Sequence, residues 1–307
     1  MMSWAKRTFL VSGVVCLASG IAMAQTASTA RPGMVNYSEG QVTIDGQAVT
    51  TQSTNSSTVE PGQVLRTGQG KAEMLLTPGV FLRIGDHTAV RMVSPSITDT
   101  RVELLQGEAM VEADQVLEGN HLVVAENGID TTILKNGLYR FTANPAQLSV
   151  YDGKAQVFID ERAVEVGKGK ELTLAPSAAL KTQSFNRSMG DDLYQWSSVR
   201  SQYVAEANQS SVQYIVAGGY PWGGYGLGWY WNPWFDSWAF VPGYGYYGGP
   251  FGFGFYSPAY WRAYPPAHYY VRPGVTASAA HSFAPAARMG GGFGGGGFHG
   301  GGFGGRR

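Results

Sequence analysis

Cysteine is almost absent. Cys16 is the one cysteine in 307 residues, and it lies in an apolar stretch near the start. If residues 1–24 are removed, the mature chain has no thiol. That excludes disulfides, a cysteine nucleophile and thiolate metal ligands. Charge is scarce as well: 14% of residues are Asp, Glu, Lys or Arg, against about 25% in an ordinary soluble domain. Lys+Arg and Asp+Glu balance at 22 each, so no global field draws the protein to nucleic acid or an anionic membrane. Neither a GxxxxGK[ST] phosphate loop nor a GxSxG nucleophile elbow occurs. Gly167-Lys168-Gly169-Lys170 reads as a turn between strands. His87 beside Asp86 and His121 beside Asn120 have no second histidine at ligand spacing, and read as polar turn residues rather than a dyad or a metal ligand. His268, His281 and His299 fall in the low-complexity sequence near the end. The expectation is therefore no enzyme, no cofactor and no metal.

What is present begins with a leader. Lys6 and Arg7 precede an apolar run over 9–21, and Ala22-Met23-Ala24 forms an A-x-A cleavage site before Gln25. The run is too short for the roughly 20 residues that span a bilayer. Residues 1–24 read as a cleaved signal peptide and 25–34 as a linker. The expected location is the periplasm, cell envelope or exterior of a bacterium, with no transmembrane segment after cleavage. The alternatives are an uncleaved anchor, or lipidation at Cys16, where Val15 is a poor match for the small residue such sites place before the cysteine.

From 35 to 180, short apolar-alternating runs recur between glycine or polar turns. Val42-Thr43-Ile44 meets Asp45-Gly46, Ala72–Leu76 meets Pro78-Gly79, Leu122-Val123-Val124 leads to Asn127-Gly128, and Asp152-Gly153 separates two further runs. No stretch sustains a 3.6-residue period. About a dozen short strands joined by tight turns predict an antiparallel sandwich or barrel.

Residues 188–209 differ. Ser188, Asp191 and Asp192 can cap a helix, and Leu193, Trp196, Val199, Tyr203 and Ala207 fall on one helical face. Adjacent Asp191 and Asp192 read as caps rather than an acid–base pair. From Tyr214 the sequence turns to Gly, Pro, Tyr, Trp and Phe, with only Asp236, Arg262 and Arg272 charged up to residue 272. Phe293, Phe298 and Phe303 then recur every five residues among glycines. Glycine at this density makes ordering costly, so 214–307 is expected to be a largely disordered, low-complexity tail. A chain of residues 25–212 is expected to melt close to the full mature protein.

The β region resembles the FecR domain family. The resemblance rests on Glu39-Gly40-Gln41-Val42, on Pro61-Gly62-Gln63-Val64-Leu65-Arg66-Thr67-Gly68, on residues 71–84, on Leu104-Leu105-Gln106-Gly107-Glu108 and on residues 148–157. It covers roughly residues 35–175 and implies a jelly-roll-like β-sandwich without catalytic residues. Family members in iron signalling carry a cytoplasmic anti-sigma segment and a membrane helix ahead of this module. Here a leader stands in that place, so the chain looks like the exported, stand-alone form.

Rings every two or three residues argue against a passive spacer, because spacers are poor in aromatics. Trp222, Tyr225, Trp229, Trp231, Trp234, Trp238 and Trp261 are the candidate interaction residues, for stacking on sugars or other rings. Nucleic acid is disfavoured by the lack of cations. The sequence thus predicts a non-enzymatic envelope module. Its tail would contact an envelope protein, polysaccharide or peptidoglycan, or other copies of the chain. The alternative is an accessory sensor of envelope or iron-related signals acting through a membrane partner.

Overall fold

Asp45 and Gly46 both adopt positive φ, 48° and 84°, as a two-residue hairpin of matching twist requires. Asn127 and Gly128 do the same at 50° and 74°. Such turns cut residues 35–184 into fifteen strands: β1 (Val35–Ile44), β2 (Gln47–Ala48), β3 (Val64–Thr77), β4 (Val80–Ile84), β5 (Ala89–Pro95), β6 (Asp99–Gln106), β7 (Glu108–Ala113), β8 (His121–Glu126), β9 (Ile129–Ile133), β10 (Gly137–Ala143), β11 (Ala146–Asp152), β12 (Lys154–Ile159), β13 (Arg162–Gly167), β14 (Lys170–Thr173) and β15 (Gln183–Ser184). This computed structural model describes residues 30–50, 54–159, 162–175, 181–188, 190–219 and 227–265. The leader, Trp222, Tyr225, His268, His281, His299 and the phenylalanine repeat lie outside the described residues.

One hydrogen-bonded path links thirteen strands in the order β13-β12-β9-β8-β6-β5-β3-β4-β7-β10-β11-β14-β15, with β1 joined to β3 and β2 to β1. It folds over at β3, which pairs with β5 through Val64–Arg66 and with β4 through Ala72–Thr77. The two halves face each other across one core. Val102, Leu122, Val124 and Val157 come from the first layer, and Met74, Leu82, Val111 and Phe141 from the second. The all-β sandwich is as expected. One pairing departs from it: β6 and β8 are parallel, because the chain crosses into the second layer as β7 and returns in the same direction.

The second layer is buried on both faces. In β4 all five residues are buried. Val80, Leu82 and Ile84 point to the sandwich core, while Phe81 and Arg83 point the other way. Helix α1 (Asp192–Tyr214) lies over that outer face. The helix exists where it was expected, and Asp191 caps it by accepting from the Tyr194 backbone N–H. Its buried face is only partly the expected one: Leu193 and Ala207 are buried as anticipated. Val199 is 60% exposed, and Trp196 and Tyr203 are only half-buried. Ser197, Arg200, Ser201, Val204, Asn208 and Ser211 turn inward in their place. Small side chains let the helix approach the sheet closely, and Arg200, Ser201, Asn208 and Ser211 find hydrogen-bond partners there.

The expected disorder does not hold for residues 227–265. They form two hairpins, β16 (Gly228–Asn232) with β17 (Ser237–Val241) and β18 (Tyr246–Gly248) with β19 (Gly254–Tyr256), then α2 (Pro258–Ala263). Phe240 and Phe255 are fully buried, in one cluster with Leu75, Phe81 and Val204. A glycine-rich segment cannot build a core alone, but here it lands on an apolar face already formed. Aromatic side chains that each bury about 150–250 Å² then offset the backbone entropy. Asn36 fastens its backbone at Trp238 and Asn208 at Phe240 and Tyr256, while its own Asn232 side chain donates to the Ala207 carbonyl and Ser211 Oγ of the helix.

The 25–212 chain is therefore expected to melt well below the full mature protein. Losing Phe240 or Phe255 alone is a change of about 3–5 kcal/mol, so the drop should reach at least about 10 °C. Melting both chains by circular dichroism checks this; equal melting temperatures would show that the aromatic segment contributes nothing to the fold.

Candidate functional site

Between the second layer and α1 lies a cluster of charges. Glu73 and Arg83 are directly opposed on β3 and β4, and Glu112 follows on β7. All three side chains are fully buried. Arg83 Nε donates to Glu73 Oε2 at 2.7 Å, and its Nη1 pairs with Glu112. Arg200 reaches down from the helix to Glu73 Oε1 at 2.9 Å, and Ser201 Oγ donates to Glu112. Asn36 donates to Glu73 at 2.9 Å while holding the Trp238 backbone. One connected network thus spans sheet, helix and aromatic segment. The helix start is fixed separately, by Lys71 to Asp192 at 2.7 Å and by Arg140 to Asp191 and Glu108.

Electrostatics sort the carboxyls. Desolvation works against the Glu73 anion, but Arg200 and Arg83 outweigh it and hold the group down at about 2. Burial raises Glu112, with Arg83 opposing. Burial also holds Asp114 well above the usual aspartate range, and the Glu112 carboxylate adds to the rise. Two arginines neutralise two glutamates, so Asp114 is the surplus acid and burial favours its neutral form. Gly249 covers it: a Cβ there would stand 2.7 Å from Asp114 Oδ1.

Beside this network an aromatic cleft opens to solvent. It encloses about 140 Å³ and is lined by Asn36, Tyr37, Ser38, Thr54, Tyr203, Phe235 and Asp236. The Arg200 guanidinium lies 4.1 Å from the Tyr37 ring centre and 4.9 Å from that of Tyr203, which sets both rings from behind. Tyr203 meets Phe235 edge-on at 5.2 Å and donates to the Phe235 carbonyl. Burial raises both phenols above their ordinary range, so they remain protonated donors at neutral pH. Nothing in the sequence pointed to this cleft, since its walls come from β1, α1 and the β16–β17 turn.

Most of the candidate tryptophans serve the interior. Trp238 and Trp261 are buried, and Trp229 and Trp231 pack half-buried on the cluster around Phe81 and Phe240. Trp234 alone of the described ones is open, at 45% exposure, edge-on to Tyr214. The outward rings are mainly tyrosines that the sequence did not single out: Tyr244, Tyr246 and Tyr264. His87, at φ 50°, occupies the turn between β4 and β5, and exposed His121 starts β8. Among the described residues no group of three His, Cys, Asp or Glu is placed to hold a metal ion. No helix there is long and apolar enough to cross a membrane.

No family model matches this chain, and no curated protein matches it. Among solved structures it is similar to two crystal structures, each of an anti-sigma-factor candidate from Parabacteroides distasonis. The identities are 17% and 16%, with a TM-score of 0.35 in both cases. The matches cover 44% and 45% of this chain and 62% and 64% of those chains. This chain therefore spans less than two thirds of the length of those proteins.

The charge cluster generates a two-sided pH profile. Glu73, depressed to about 2, contributes stability that is present above its ordinary value of about 4.3 and lost as pH falls toward 2. Asp114 is raised, so its contribution is full below about 3.9 and is lost as pH climbs through its elevated folded value. Glu126, buried with neither oxygen paired and pushed up to about 8 by desolvation, adds to the alkaline limb. Asp114→Asn should gain on the parent chain as pH rises from 4 to 9 in urea denaturation. A difference that stays constant across that range would show that Asp114 is not a protonated, buried acid.

Proposed function

We propose that the chain is an exported, non-enzymatic module of the bacterial cell envelope, of the FecR-like kind, that binds envelope polymer. The observation that carries this is a division of labour among its side chains. The charged groups that could perform chemistry, Glu73, Arg83, Glu112 and Arg200, are committed to one another and shut away from solvent. Around the cleft, rings are prominent among the solvent-facing groups: the cleft walls, Trp234 and the outer tyrosines. Rings with polar tips bind amphipathic surfaces without transforming them. The leader supports export, and the absence of a thiol in the mature chain suits an oxidising compartment.

The test is co-sedimentation of the full mature chain with isolated bacterial peptidoglycan and envelope polysaccharide. Retention in the pellet, competed by the soluble polymer, is the expected result. Complete recovery in the supernatant with every polymer would contradict the reading.

A further inference from the structure

We propose that the aromatic cleft is a glycan subsite that seats one neutral pyranose ring, with the polymer continuing along the adjoining edge of β1. This rests on the reading of the chain as an envelope-binding module and names the ligand class.

Size comes first. At about 140 Å³ the cleft is under half the roughly 300 Å³ at the lower end of drug-sized pockets. It admits one six-membered ring and leaves neighbouring units outside. The surroundings provide for those neighbours. A groove of about 530 Å³ runs along β1 and β2, and Ser38 lines both it and the cleft. Its walls are mixed, with Glu39, Gln41, Thr43 and Thr50 beside Val42, Ala48 and Val49.

Chemistry comes second. A pyranose has one apolar face of C–H bonds and a rim of hydroxyls. The cleft offers the complement: Tyr37, Tyr203 and Phe235 as ring surfaces, and Ser38, Thr54 and the Asp236 carboxylate as polar partners. The rings are already set, two of them by Arg200 and the third by its contact with Tyr203. Binding therefore need not order them, which keeps its entropic cost low.

Charge comes third. The one cation behind the cleft, Arg200, is taken up by Glu73. The acids near the mouth are Asp236 and Glu39, the latter accepting from the Tyr37 hydroxyl at 3.3 Å. A uronate or a phosphorylated sugar would meet like charge. A neutral hexose or N-acetylhexosamine would not.

Saturation-transfer NMR on the full mature chain tests this, with the methyl glycosides of glucose and N-acetylglucosamine as neutral probes and methyl glucuronide as the anionic one. A single ring should bind at millimolar strength, on the order expected for so few atoms. The glucuronide should bind at least about tenfold more weakly. Tyr203→Leu and Phe235→Leu should each lose about tenfold or more of the neutral binding. Tyr203→Phe, which keeps the ring and the packing, should retain it, so a poorly folded leucine variant leaves the proposal testable. Unchanged binding in the leucine variants, no binding of either neutral probe, or equal binding of the glucuronide would each overturn it. If the chain co-sediments with polymer while the leucine variants behave like the parent, the subsite fails and the envelope-binding reading stands. If it binds no polymer at all, that reading fails instead.

Discussion

Four charges buried between a sheet and a helix set the terms for the rest of this molecule. Taking an ion out of water costs several kcal/mol even after relaxation, and only close, well-aligned partners repay it. Glu73, Arg83, Glu112 and Arg200 meet that condition together and in no smaller set. Arg83 bridges two glutamates that sit on different strands, and Arg200 supplies the second cation from the helix. Removing one partner from such a set typically costs about 3–5 kcal/mol, because a lone buried charge remains. The helix must therefore lie at one rotation and one height on the sheet. Ser201 and Ser197 on its inner face are small enough to let it do so.

The aromatic segment depends on that placement. Asn208 and Ser211 point toward its strands only because Arg200 is anchored about two and three turns earlier. Asn36 joins the two systems directly, with one hand on Glu73 and the other on Trp238. The hydrophobic contribution comes from Phe240, Phe255, Trp238 and Phe81, while the amides decide which backbone groups meet. The same positioning produces the cleft. Tyr37 from β1, Tyr203 from α1 and Phe235 from the β16–β17 turn converge because the network and the segment are locked together. Arg200 serves both, bonding Glu73 with one edge and lying against two rings with its face.

Much of the sandwich was legible in the sequence, because turn chemistry is local. Asp45-Gly46 and Asn127-Gly128 announce hairpins by themselves, and Asp191 announces a helix start. The rest was hidden for a physical reason. Alternation tells which residues share a strand face, but not whether a further layer covers that face. Glu73 and Arg83 alternate with Met74 and Leu82, a pattern that fits a solvent-facing or a covered face equally well. The missed signal was that Leu75, Phe81 and Met110 share their face. The helix was misread in part in the same way: the expected face included exposed Val199, whereas its buried surface adds Ser, Asn and Arg to Leu193, Val204 and Ala207. The disorder expected for 227–265 followed from weighing that segment alone, when the apolar face it needs is supplied by β3 and β4. The cleft combines residues nearly two hundred positions apart, and no local pattern carries that.

Native-state hydrogen exchange on the full mature chain and its Arg200→Ala variant tests the central claim, that the buried charge network fastens helix and aromatic segment to the sandwich as one unit. In the parent chain the amides of Ser237–Val241 should be protected to a level close to that of β4. In the variant, α1 and Ser237–Val241 should lose protection together, by the same free energy, while β8 and β12 in the far layer keep theirs. Loss confined to α1, or Ser237–Val241 amides that exchange freely in the parent chain, would contradict the account.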